Sequence, residues 1–163
     1  MDIKIREANL DNPQHQQAVK HLLNNYAENL PGFTRKLGGD VMNRLIPGLK
    51  SFPTTLILLA EIDEIFAGML VSFQGFSTFY AERLINIHDI MVLPEFRNRG
   101  IGTALLEDIE KIARREGFCK LTLEVQEHNT AAARLYRRFG FEKSVLDKNQ
   151  GKTFFFSKAI KSL

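Results

Sequence analysis

The chain predicts a mixed α/β domain of about seven strands and four helices. Three observations carry this. The apolar period switches repeatedly between that of a strand and that of a helix along the 163 residues. The strand-like runs are rich in β-branched and aromatic residues and are bounded by turn formers. One such run feeds a glycine-containing loop that opens an amphipathic helix.

Taken in order, residues 3–7 alternate apolar and charged and form a first strand. Asp11 or Asn12 can cap a helix with Pro13 in its first turn, and Val19, Leu22, Leu23 and Tyr26 make one apolar stripe up to about Tyr26. Residues 29–39, with proline and glycine signals, read as loop. Asp40 can cap a short second helix that ends before Pro47, since a proline disfavours helix in the residue ahead of it. Residues 54–61 and 65–73 are apolar around Asp63-Glu64 and predict a β-hairpin. The Phe- and Tyr-rich stretch 74–83 is a loop or strand end, and residues 84–93 form a fourth strand stopped by Pro94.

Ile101, Leu105, Ile109 and Ile112 then recur at helical spacing, with Gly117 as the stop. Residues 120–126 return to strand alternation. Asn129 can cap a last helix carrying Ala132, Leu135, Tyr136 and Phe139 on one face, with Gly140 ending it. Residues 141–146 and 153–159 read as a closing strand pair around a turn at 147–151. The strand–helix–strand unit from 84 to 126 should cross over right-handedly.

Composition narrows the function classes. The length suits one domain, spanning 1–163, with a real core. A formal charge of +3 and a pI near 9.1 suit an anionic ligand but are too weak and too dispersed to indicate nucleic acid. No apolar run is long enough for a bilayer, and the first residues read as strand, so a cytoplasmic protein without a membrane partner is expected. The lone Cys119, ahead of an apolar run, reads as a small buried hydrophobe. His15, His21 and His128 lack metal-ligand spacing, so no metal is expected.

The chemistry-bearing segment is Arg97-Asn98-Arg99-Gly100-Ile101-Gly102. The first N–H groups of a helix have no partner within it, and the helix dipole places partial positive charge there. Phosphate oxygens fit such an end. Gly100 and Gly102 allow close approach and unusual backbone angles, while Arg97 and Arg99 add cationic donors. The loop is neither a Walker loop nor the dinucleotide fingerprint. An ordinary tight strand–helix turn would use the same glycines.

Arg-x-x-Gly-x-Gly after Val92-Leu93-Pro94 resembles the acyl-CoA motif of the GNAT superfamily of N-acetyltransferases. Leu121-Thr122-Leu123-Glu124-Val125 is similar to that family's fifth strand, and Asn129-x-Ala131-Ala132-x-x-Leu135-Tyr136-x-x-x-Gly140-Phe141 to its following helix. The resemblance is close over residues 84–142. It implies a centrally splayed sheet in which the fourth and fifth strands part around the pantetheine arm of acetyl-CoA. Met91 and Val92 would offer main-chain groups to that arm, and the amides from Asn98 through Gly100, Ile101 and Gly102 to Thr103 would hold the pyrophosphate. Asn129 would bind the arm and Tyr136 would sit beside the sulfur, as acid or as thiolate stabiliser. The acceptor would be a primary amine, on a small molecule or a protein, attacking directly in a ternary complex.

An alkylammonium must lose a proton before it attacks, so a base is expected. His88 and Asp89 lie in an otherwise apolar strand and are the candidates, though a regular strand would point them to opposite faces unless a bulge intervenes. Members of the family often carry an acid where His88 stands. A core imidazole for His88 and a bond to loop amides for Asp89 are the plainer readings. Glu124 and Glu127 are weaker alternates, while Glu107, Asp108 and Glu110 read as solvated. Phe73, Phe76, Phe79 and Tyr80 form either an aromatic wall of an acceptor pocket or hairpin packing. An enzyme, a non-catalytic acyl-CoA sensor and a nucleotide-phosphate regulator compete, with the retained Tyr136 favouring the enzyme. A homodimer is compatible with all three.

Overall fold

A computed structural model describes residues 2–29, 35–127 and 129–142. Within them five strands and four α-helices follow one another as β1 (Lys4–Glu7), α1 (Pro13–Asn29), α2 (Gly39–Ser51), β2 (Thr55–Ile62), β3 (Ile65–Ser77), β4 (Glu82–Val92), α3 (Ile101–Arg115), β5 (Leu121–Leu123) and α4 (Thr130–Arg138). The strands lie in sequence order in one sheet, antiparallel except for the parallel β4–β5 pair. The predicted seventh strand, the turn at 147–151 and all but the first two residues of the sixth lie outside the described residues. Phe141 and Glu142, which opened the predicted sixth strand, are not in strand.

The sheet separates two cores. One packs Leu56, Leu58, Leu70, Ile85 and Ile87 against Leu105, Leu106 and Ile109 of α3, with Leu135, Tyr136 and Phe139 of α4 joining it. The other packs Ile57, Leu59, Met69, Val71 and Met91 against Val19 and Leu22 of α1 and Ile46 of α2. Gly68 sets how deeply α3 sits: a Cβ there would lie 2.7 Å from Ile101 Cγ2 and 3.1 Å from the Met91 carbonyl oxygen.

Helix α1 starts where expected. The Asn12 Oδ1 accepts from the Gln14 amide at 2.8 Å, so Asn12 rather than Asp11 is the cap. Helix α2 departs from expectation at both ends. Its cap is Gly38, with Asp40 inside the first turn, and it runs through Pro47 to Ser51. A proline there forfeits one helical hydrogen bond. Leu45, Ile46 and Leu49, on both sides of it, pack on the α1-side core, and burying them offsets that loss. Strand β5 is shorter than the expected 120–126 and leaves Glu124, Val125 and Gln126 exposed. Cys119 is partly rather than fully buried.

Candidate active site

The β4–β5 pairing has three rungs, Ile85 with Leu121, Asn86 with Thr122 and Ile87 with Leu123. The Asn86 side-chain amide donates to Thr122 Oγ1 at 3.0 Å and ties the middle one together. Beyond Ile87, β4 continues to Val92 while β5 has ended. Among the described residues the sheet therefore opens into a gap along His88–Val92. Leu93 donates its N–H to the Ala67 carbonyl on β3 at 2.9 Å. By strand alternation Met91 also turns its main chain to β3, leaving Ile90 and Val92 to present theirs to the gap. Of the two residues assigned to the pantetheine arm, Val92 thus faces the gap and Met91 is buried in the α1-side core.

At the end of β4 a single turn of 3-10 helix, Pro94–Phe96, leads into the arginine loop. Asn98 and Gly100 both have positive φ, 61° and 85°. Gly100 is the N-cap of α3 and supplies no side-chain cap. The first intrahelical bond runs from the Ala104 amide to the Gly100 carbonyl at 3.0 Å, so the amides of Ile101, Gly102 and Thr103 are open to a ligand. The two glycines differ in purpose. Gly100 satisfies a left-handed backbone, whereas a Cβ on Gly102 would lie 3.0 Å from Leu135 Cδ2, so Gly102 lets α4 lie against α3. The arginines are also partly engaged. Arg97 Nε donates to the Val92 carbonyl at 3.2 Å, and the Arg99 guanidinium lies 5.2 Å from the Phe96 ring centroid.

Beyond the end of β5, Asn129 caps α4, its Oδ1 accepting from the Ala132 amide at 3.2 Å. Its side-chain amino group stays available as a donor. Tyr136 packs on the α3 side, its ring edge toward Phe141 at 5.9 Å. Burial pushes its phenol up to about 12, and Tyr26 and Asp89 act in the same direction. Tyr26, on α1, is also raised, by burial first and then by Asp89. Tyr26 packs on the opposite face of the sheet.

A β-bulge resolves the geometry of His88 and Asp89. Ile87 pairs with Ser72 and Asp89 with Val71, so His88 is the extra residue. Ile85 and Ile87 face α3 before it, while Ile90 and Val92 face α3 after it. The phase reverses, and His88 and Asp89 share the α1 face. His88 Nδ1 lies 3.2 Å from Asp89 Oδ2, and the imidazole meets the Phe73 ring edge-on at 5.7 Å. His88 is thus no buried core imidazole, its side chain being 63% exposed, and Asp89 at 24% bonds His88 in place of loop amides.

The alternates fare differently. Glu124 and Glu127 are exposed beyond the end of β5. Glu110 is tied to Arg114 and Asp108 to Lys111 on the outer face of α3. Of the aromatic stretch, Phe73 turns inward and stacks edge-on with Phe52 at 5.4 Å, whereas Phe76, Phe79 and Tyr80 are exposed at the β3–β4 end, Phe79 at 99%. Among the described residues no group of three or more His, Cys, Asp or Glu is placed to hold a metal ion. His128 lies outside those residues. No described helix is long and apolar enough to cross a membrane.

Comparison with known proteins agrees with this geometry. The family model for the acetyltransferase (GNAT) family matches residues 17–141. An uncharacterized N-acetyltransferase of Bacillus subtilis (strain 168), YhfO, is 33% identical over 89 residues, 55% of this chain and 60% of that protein. The streptothricin acetyltransferase of Streptomyces lavendulae is 38% identical over 80 residues, 49% of this chain and 42% of its own length. The chain thus spans only part of the curated relatives it matches. Among solved structures, AAC(6')-Iy in complex with the bisubstrate analog CoA-S-monomethyl-acetylneamine superposes with a TM-score of 0.73 at 18% identity, covering 98% of this chain and 99% of that one. An integron cassette protein from V. cholerae reaches 0.77 at 16% identity, covering 96% and 94%. At such identities the likeness is one of fold.

Proposed function

Given that the chain belongs to the GNAT acetyltransferase family, we propose that it moves the acetyl group of acetyl-CoA to a primary amine by direct attack within a ternary complex. The observation that carries this is the gap: among the described residues β4 outlasts β5, and its last residues lead to the open amide end of α3. An extended amide-bearing arm can pair with Ile90 and Val92 as a strand would. Its pyrophosphate then meets the Ile101, Gly102 and Thr103 amides and the helix dipole. Arg97 and Arg99 have N–H groups left over to reach the same oxygens. Asn129, which caps α4, has its side-chain amino group left to donate to the same arm. Bound acetyl-CoA supplies an acyl thioester; the chain supplies position and proton handling.

Tyr136 is the group for the leaving sulfur. With its phenol near 12 and a free thiol near 8.5, full proton transfer is uphill by roughly 5 kcal/mol. Its role is therefore a hydrogen bond to the developing thiolate rather than delivery of a proton. His88, exposed on the α1 face and next to Asp89, is the base for the incoming ammonium. Tyr26, whose phenol is raised by burial first and then by Asp89, packs on the same α1-side face of the sheet. The sequence marks Tyr26 only as the one polar-tipped member of the α1 stripe.

Two measurements test this. Calorimetry should find acetyl-CoA bound in preference to ATP, and an amine panel should reveal transfer to at least one primary amine. His88→Ala should lower turnover about 10²-fold or more, with acetyl-CoA affinity barely changed. Tight acetyl-CoA binding with no turnover on any amine would instead indicate a sensing module.

A further inference from the structure

We infer that Asp89 is a positioning residue that sets the tautomer of His88, so that the two act as one unit. This rests on the acetyl-transfer reading above and assigns within it which atom receives the proton. The geometry is threefold. The bulge at His88 turns two consecutive side chains to one face, where a regular strand would separate them. On that face Asp89 Oδ2 lies 3.2 Å from His88 Nδ1. The imidazole is held from the side by Phe73, itself braced edge-on by Phe52 at the C-terminal end of α2.

A carboxylate accepts hydrogen bonds and donates none. The proton of a neutral His88 ring therefore resides on Nδ1, and Nε2 is left with its lone pair. In this arrangement Nε2 takes one proton from the substrate ammonium. The freed nitrogen lone pair forms the C–N bond as the C–S bond breaks, the nitrogen sheds its second proton to water, and the departing thiolate picks one up. The imidazolium returns its proton to solvent, to which the side chain is open. The sum is one amide, one thiol and one proton released. An unconstrained imidazole prefers its proton on Nε2, the wrong nitrogen for this task. Asp89 opposes that preference without touching the substrate.

The test uses the full chain labelled with ¹⁵N at histidine. At a pH where His88 is neutral, long-range ¹H–¹⁵N spectra should show His88 protonated on Nδ1 in the unaltered protein. Asp89→Ala should move that proton to Nε2. Asp89→Asn, which keeps the side-chain volume, guards against a folding artefact and should give a mixture or the same reversal. In turnover assays Asp89→Ala should lower kcat about 10- to 100-fold with the amine KM little changed, and it should add nothing in a His88→Ala background. A His88 ring already protonated on Nε2 in the unaltered protein overturns the inference whatever the kinetics. A raised amine KM at unchanged kcat in Asp89→Ala also overturns it, since Asp89 would then be binding the cation itself. Wild-type turnover in His88→Ala alongside an Nδ1–H ring removes the base assignment and this inference with it.

Discussion

Tyr136→Phe is expected to lower single-turnover acetyl transfer by about 10²- to 10³-fold while leaving acetyl-CoA affinity nearly unchanged. The substitution keeps the ring that packs on α3 and Phe141 and deletes only the hydroxyl. A donor that meets charge chiefly in the transition state shows its loss in turnover rather than in binding. Single-turnover measurement is preferred because slow product release would mask part of the drop. Wild-type rates in the folded variant would reduce Tyr136 to a packing residue.

The same substitution has a second readout. The folded phenol holds its proton up to about 12, whereas in an unfolded chain it ionises near 10. The folded state therefore binds more protons in this window. The associated stability is complete below about pH 10 and is lost as pH rises toward 12, to at most about 3 kcal/mol. Tyr136→Phe should lack this loss and the latest-ionising part of the phenolate absorbance. An unchanged alkaline titration would contradict the buried, charge-facing placement.

Gly100→Val should weaken acetyl-CoA binding at least tenfold in calorimetry. With φ at 85°, a β-branched residue is a genuine outlier there, costing about 1–2 kcal/mol if the loop keeps its shape. If the loop yields instead, the three open amides of α3 no longer converge on one anion. Gly102→Leu acts by another route. The added carbons meet Leu135, so α4 and the neighbouring Tyr136 must shift, and turnover should suffer along with binding. Unchanged affinity in a folded Gly100→Val protein would sink the phosphate assignment.

Much of this was legible in the sequence. Apolar stripes located α1, α3 and α4 because burial of those stripes is what forms them, whereas α2 was bracketed only by Asp40 and Pro47; capping chemistry located Asn129 and left Asp11 and Asn12 open for α1. Pro47 misled because a local rule about one hydrogen bond was outweighed by Leu45, Ile46 and Leu49 packing across it. The end of β5 misled because Glu124-Val125-Gln126 keeps strand-like alternation, while pairing depends on a partner that the gap withholds. The packing roles of Gly68 and Tyr26 were invisible for a related reason. One acts by what it leaves out beneath Ile101, the other across a sheet, and neither relation is encoded in local spacing. The bulge was foreseen only as a possibility; nothing in Ile87-His88-Asp89-Ile90 distinguishes the extra residue by type.

That bulge makes strand phase, as much as residue identity, a determinant of the site. Each β4 position beyond His88 owes its orientation to one inserted unit of phase. Smoothing the bulge while keeping His88 would rotate Asp89 and Met91 into the contact with α3 and move Ile90 and Val92 to the side of α1. The greasy seam under α3 would then inherit a carboxylate, and the gap would be edged by different amides. Excising His88 has the opposite character: the surplus unit is the one removed, so the pleat closes up flush and every later residue keeps its present side. A deletion here therefore subtracts an imidazole and leaves the parity of the strand intact. A related chain one residue shorter in this strand could thus present the same faces to both helices.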